Sequence, residues 1–336
     1  MERGSQRKGR ESVEFFHSVN IDWLGKKWYF LAFSLIFSVA GVISMGWHWA
    51  HIGSPVPLGV DFRGGTQVTV EFPEKPNLTK IRDAVDAAGL TKASIATFGE
   101  GKNQVLISLP EETNETALDV GRAEIENALR EHYSPNFTVR SVQVVGPTVG
   151  RQLERQAALA TLYSMLGMLV YLWFRFQLIY GVAAVVACFH DTLITVGAFS
   201  LASSLGFTGL ELSLTVIAAI LTLVGYSMND TIVVFDRIRE NLRLSRREPL
   251  ADLVNRSINQ TLSRTVLTSG LTFLTVLSLF IFGGQVLRGF SFALVVGILI
   301  GTYSSIAVAS PMLVAWQEWR AAKGKATSLP AARRAR

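Results

Sequence analysis

Sulfur chemistry is nearly missing from this chain. One cysteine, Cys188, stands among 336 residues, which excludes an intrachain disulfide and a cysteine-based zinc site. It lies in an apolar run and reads as a small buried hydrophobe. Charge is also scarce. Asp, Glu, Lys and Arg make up 17% of the chain, and long apolar stretches contain none of them, which excludes an ordinary water-soluble fold. No short apolar core with a small-residue cleavage site follows the polar start, so no removable signal peptide is expected. No nucleophile, base and oxyanion donors converge and no metal spacing occurs, so an enzyme is the least expected class.

What is present is a series of membrane-length runs. The first span is expected at 28–46. A polar segment of domain size, 47–152, follows it. Five further runs, at about 157–174, 178–204, 212–235, 265–282 and 290–316, complete six crossings within 153–317. The net charge of +6 does not point to nucleic acid, because Lys and Arg cluster beside the apolar runs. They sit in the N-terminal tail (1–27), the 236–264 loop and the C-terminal tail (318–336), whereas the opposite short loops offer only Arg288. The positive-inside rule therefore places both tails in the cytoplasm and 47–152 on the far side of an inner membrane. Residues 249–260 carry an apolar stripe at Leu250, Leu253, Val254 and Ile258. They are expected to form an amphipathic helix in the membrane interface, or to meet a cytosolic partner. The last run contains Gly297 and Gly301, spaced for close helix packing.

The outer segment reads as a small α/β unit. Residues 66–72 alternate as a half-buried strand. Asn77 caps a helix that Gly89 closes. Residues 93–98 and 104–109 make a hairpin around 99–103, a helix follows over 113–132, and 137–145 is the last strand. The order β-α-β-β-α-β is the split ferredoxin-like pattern. Ahead of it, Gly59-Val60-Asp61-Phe62-Arg63-Gly64-Gly65-Thr66 holds glycines that mimic a phosphate loop. No Gly-Lys-Ser/Thr follows and a strand rather than a helix comes next, so a tight turn is the physical reading.

The rest of the chain is organised around Gly225–Asn241. Asp230 ends an uncharged run and lies roughly 9 Å deeper than Asp236, at 1.5 Å per helical residue. An Asp at the centre of a spanning helix costs about 2.5–3.5 kcal/mol on insertion scales. Such a residue points to function and needs a partner. Arg264, at the start of the next apolar run, is the expected one, and a carboxylate set between burial and a guanidinium can gain and lose a proton. The plain alternative makes Asp230 the wet end of its span and Arg264 an orienting anchor. Asn229 and Thr231 flank the acid as supporting polar residues. His190 and Asp191 fall within the third span and must face protein or a wet cavity. They form either a satisfied helix–helix hydrogen bond or a proton relay.

The run Asn229-Asp230-Thr231-Ile232-Val233-Val234-Phe235-Asp236-Arg237-Ile238-Arg239-Glu240-Asn241 resembles the signature of the bacterial SecF family, the smaller partners of SecD in protein export. Val60-Asp61-Phe62-Arg63-Gly64-Gly65-Thr66 is similar to the family's turn after the first span. Gly146-Pro147-Thr148-Val149-Gly150 and Arg264-Thr265-Val266-Leu267-Thr268-Ser269 are similar to the starts of its second and fifth spans. Arg63 departs from the pattern, since SecF chains often carry a small polar residue there and SecD chains an Arg. The resemblance implies an RND-superfamily half: an α-helical polytopic membrane protein of six spans with one extracytoplasmic ferredoxin-like domain. It implies SecD, the SecYEG channel and often YajC as partners, an unfolded exported polypeptide at the outer domain, and protons as the coupling ion with no other cofactor. Asp230 and Arg264 match positions the family uses for proton passage. An RND-type small-molecule or lipid transporter subunit, or a purely structural translocon subunit, are the competing classes.

Overall fold

The structure is a computed structural model and describes residues 20–97, 103–110, 120–176, 178–207, 209–245 and 248–323. The tail cations before residue 20 and after residue 323, the hairpin turn at 98–102, the helix start expected at 113 and Arg246-Arg247 lie outside the described residues. In chain order the elements are α1 (Lys27–Ile52), α2 (Val60–Arg63), β1 (Gly65–Glu71), α3 (Leu78–Ala87), β2 (Ser94–Thr97), β3 (Gln104–Pro110), α4 (Val120–His132) and β4 (Thr138–Val145). Then come α5 (Pro147–Arg175), α6 (Leu178–Ser204), α7 (Leu214–Leu244), α8 (Leu250–Phe282), α9 (Gly284–Ser304), a π turn (Ser305–Ala309) and α10 (Ser310–Ala322).

The outer unit is the expected β-α-β-β-α-β sandwich of one sheet and two helices. Its antiparallel sheet has the order β2-β3-β1-β4, so the first strand is central and the hairpin lies to one side. Period-2 alternation puts Val68 and Val70 on the helix-covered face. There they meet Ile81 and Val85 of α3 and Ile125 and Leu129 of α4, all fully buried. Register follows from this, with Val68 opposite Ile107 on one side and Val142 on the other. The Asn77 side chain accepts hydrogen bonds from the backbone N–H groups of Thr79 and Lys80, at 3.1 and 3.2 Å, so it closes the helix start as its residue type foretells.

Six helical segments are long and apolar enough to cross a membrane: α1, α5, α6, α7, α8 and the continuous Val286–Arg320 run. Half or more of the apolar window is buried in α6, α7 and the last run, against 17% in α1 and α8 and 6% in α5. The first group is therefore the centre of the bundle, and the second presents its flanks outward. The α7–α9 contact is very close. A Cβ at Gly297 would fall 2.1 Å from Leu223 Cδ2, and one at Gly301 would fall 2.9 Å from Ser227 Cβ, so only glycine seats α9 there. In the π turn below, the Ser310 hydroxyl donates to the Ser305 carbonyl at 2.8 Å.

Two sequence expectations change here. The helices run past their apolar cores: α1 reaches Ile52 and α7 reaches Leu244, so little of the 236–264 segment is loop. The stripe at 249–260 is not a separate helix in the interface. It is the first third of α8, and Leu253, Val254 and Ile258 pack in one cluster with Val234, Phe235 and Ile238 of α7. Hydrogen bonds fix the same contact. Asn241 donates to Ser257 Oγ at 2.8 Å and to Gln260 Oε1 at 2.9 Å. The chain ahead of α1 also docks there, through Trp23 N to Asn255 Oδ1 at 2.8 Å and Trp23 Nε1 to Asn259 Oδ1 at 3.0 Å. An amphipathic stripe reads alike against headgroups and against a protein neighbour, and in this chain the neighbour is protein.

Candidate functional site

Asp230 lies on the inward face of α7 and is 3% exposed. The Ser269 hydroxyl on α8 donates to its Oδ2 at 2.6 Å. This short bond to a carboxylate is of the charge-assisted kind. Arg264 lies five residues before Ser269 on the same helix, and its side chain is exposed on the bundle surface. The direct partner is thus a hydroxyl rather than the guanidinium. Arg264 makes no ion pair with Asp230 within 4.0 Å. Of the flanking pair, Thr231 is buried and donates to the Ser227 carbonyl at 3.2 Å, one turn back on its own helix. Asn229 is exposed and turns to the other side of α7, away from the carboxylate.

His190 and Asp191 form a hydrogen-bonded pair with partners on two other helices. Asp191 is 1% exposed. Its Oδ1 lies 3.0 Å from His190 Nδ1, and its Oδ2 accepts the Ser227 hydroxyl at 2.6 Å. The Nε2 of His190 meets the Ser34 hydroxyl on α1. The structure therefore strings polar side chains from α1 through α6 and α7 to α8. Ser34, Ser227 and Ser269 carry that string; Ser227 and Ser269 fall inside the Gly225–Asn241 and Arg264–Ser269 stretches, but none of the three stands out from the sequence as a site residue. The one available signal is position: Ser227 stands three residues before Asp230, where a helix puts two side chains on one face.

The glycine turn is the second feature of the site. The expected tight turn is here, and it includes one helical turn, residues 60–63, before the strand. Gly64 then takes φ 78°, and a Cβ there would lie 3.0 Å from the backbone of Pro147 at the start of α5. The turn also reaches across the membrane surface to α7. Asp61 Oδ2 accepts the backbone N–H of Leu214, the first residue of α7, at 2.9 Å, and Oδ1 accepts from Gln143 of β4 at 2.9 Å. Gly59 N–H donates to the Leu212 carbonyl at 2.9 Å, and Leu212 N–H donates to the Pro57 carbonyl at 2.7 Å. A carboxylate at a helix N-terminus is favoured by the exposed amides and by the helix dipole. Glu211 completes this joint by accepting from Ser94 Oγ at 3.2 Å. Burial raises its carboxyl above the usual value of 4.5, opposed by the Ser94 bond and by Arg63. Between the polar face of the sheet and the top of the bundle lies a cavity of about 580 Å³, lined in part by Gln67, Ser108, Arg140, Gln143 and Glu211. Among the described residues no group of three or more His, Cys, Asp or Glu could hold a metal ion.

The chain matches the family described as protein export membrane protein SecD/SecF, C-terminal, over residues 124–319. It matches the SecD/SecF GG motif over 52–72, which is the joint just described. It is 54% identical to the protein translocase subunit SecF of Koribacter versatilis, over 94% of this chain and 96% of that one. With the SecF of Desulfurispirillum indicum it shares 42% identity, over 88% of this chain and 92% of that one. A crystal structure of SecDF, a translocon-associated membrane protein from Thermus thermophilus, superposes with a TM-score of 0.74 at 39% identity, covering 90% of this chain. The chain spans only 39% of that longer SecDF chain. With this identity over nearly its whole length, and with the GG motif and the six-helix bundle in matching order, the chain belongs to the SecF family of membrane proteins.

Proposed function

We propose that this chain is the SecF-type half of a protein-export auxiliary complex, which uses proton flow to move its outer domain and so draw exported polypeptides across the inner membrane. The observation that carries the reading is Asp230, a carboxylate buried among apolar helices and held by one hydroxyl from the neighbouring span. Its helix, α7, begins at the joint that Asp61 makes with the outer domain. Proton binding at Asp230 weakens the charge-assisted bond to Ser269 and lets α7 and α8 shift against each other. Motion of α7 then reaches the outer domain through the Asp61–Leu214 bond. Moving one charge through 100 mV yields about 2.3 kcal/mol, enough to bias a two-state element strongly.

The matched SecDF chain is more than twice as long, which supports a second half of SecD type beside this one. In this reading the exposed Arg264 of α8 and Asn229 of α7 face it. SecYEG, the unfolded exported polypeptide and in some cells YajC complete the assembly, with lipid around the flanks and no role for nucleic acid. Both termini lie in the cytoplasm. No cofactor other than the proton takes part, and no enzymatic step is required.

The test is Asp230→Asn. Export into membrane vesicles loses its proton-dependent stimulation while the complex still assembles. Full stimulation in the Asn variant overturns the reading.

A further inference from the structure

The buried groups that this mechanism does not use include one complete ionisable pair. We infer that Asp191 and His190 form a second proton-binding site, distinct from Asp230, which ties the first, third and fourth spans together.

Asp191 stands midway along α6, and its carboxylate meets His190 Nδ1 at 3.0 Å and the Ser227 hydroxyl at 2.6 Å, with the buried Ser304 hydroxyl also beside it. The second ring nitrogen of His190 meets Ser34. Other titratable groups on α6 and the helices packed around it include Tyr180 and Cys188 on α6 itself, His48 on α1, Tyr163 and Tyr171 on α5, Tyr303 on α9, and Tyr226 and Asp230 on α7. The lysines and arginines of α1, α5, α7, α9 and α10 stand towards the helix ends, and α6 has none. No fixed cation therefore balances Asp191. With an ionised carboxyl and a neutral ring, the cluster carries one uncompensated negative charge in the middle of the bundle, which is costly. One added proton makes it neutral overall, whether it rests on the carboxyl or on the imidazole.

The hydrogen bonds can accommodate that proton without breaking. In the neutral ring Nδ1–H donates to Asp191, so Nε2 accepts from Ser34. In the charged ring both nitrogens donate, and the Ser34 hydroxyl rotates to accept. Either way α1 and α6 remain joined while the polarity of the contact reverses. On the other side, Ser227 holds Asp191 from a position three residues before Asp230, on the same face of α7. Two neighbours thus hold α7: Asp191 of α6 through Ser227, and Ser269 of α8 through Asp230. This site stands independently of whether Asp230 carries protons.

The test uses the purified full-length chain in phospholipid vesicles, followed by infrared difference spectra across a pH titration and by proton uptake. Two carboxyl bands from within the spans are expected, apart from that of Glu211 at the joint. Asp191→Asn removes one and lowers uptake by about one proton per chain; Asp230→Asn removes the other and leaves the Asp191 band in place. Ser34→Ala, which spares both ionisable groups, shifts the Asp191 titration without removing its band, and it serves as the readout if Asp191→Asn fails to fold. Unchanged spectra and uptake in Asp191→Asn or Ser34→Ala, with only a lower melting temperature, would mean a purely structural clamp and overturn the inference. Loss of both bands in Asp230→Asn would mean a single coupled site and also overturn it.

Discussion

The outer domain and the membrane bundle differ in what they bury beside their apolar clusters. The interior of the outer domain is aliphatic and aromatic: Val68, Val70, Ile81, Val105, Ile107, Ile125 and Leu129 are fully buried together. The interior of the bundle holds Asp191, Thr195, Ser200, Ser227, Asp230, Thr231 and Ser269, while its outside shows Trp28, Phe174, Leu271 and Phe282. Water explains the first arrangement, because removing apolar surface from it stabilises the domain by roughly 25 cal/mol per Å². Lipid removes that drive, since the solvent is as apolar as the side chains. Close packing at glycine and hydrogen bonds between helices must hold the bundle instead. The polar groups buried in it are the ones on which the proposed proton binding acts.

Substitutions in the two regions put this contrast at risk. The largest stability loss is expected at Ile107→Ala, which leaves a cavity in a fully buried apolar layer and costs about 2–5 kcal/mol. Denaturant unfolding followed by amide exchange in β1 and β3 measures it. Next comes Gly301→Leu, which drives a side chain into Ser227 and costs about 1–3 kcal/mol. Thermal unfolding in detergent reads it, and an unchanged melting curve would show that close approach does not hold α7 to α9. A pH effect at the joint between the regions follows. Burial raises the Glu211 carboxyl above 4.5, so its contribution is fully present below that value and fades as pH rises through the raised one. One group gives a slope of at most about 1.4 kcal/mol per pH unit. Glu211→Gln flattens that slope, as seen by exchange of the Leu212 and Leu214 amides. The smallest effect is expected at Leu274→Ala, on the exposed face of α8. In lipid it costs below about 1 kcal/mol, because the apolar solvent covers the site in either state. A larger loss in the assembled complex than in the isolated chain would locate a protein neighbour on that face.

Length and periodicity made much of this legible in the sequence. The third apolar run, 178–204, is α6, as its length and composition indicate, and the strand order of the outer unit follows from alternation and turn residues. Asp230 stood out because charge within an apolar run is costly. Its partner did not, because charge complementarity points to Arg264, whereas the fold delivers Ser269, a residue type common throughout membrane helices. The reach of Asp61 to Leu214 left no trace either. The two are 153 residues apart, and an acid next to glycines is already explained by a turn.

The backbone pairing of residues 57–59 with Leu212 also sets an order of assembly. Ribosomes make the first strip early and its mate only after the whole outer unit and two more hydrophobic crossings have been synthesised. Until that later segment arrives, the newly made sheet stands undocked, with the amides and carbonyls of the strip still bound to water. Closure of this seam is a late step of biogenesis, and it joins the maturation of the outer unit to the insertion of the fourth crossing.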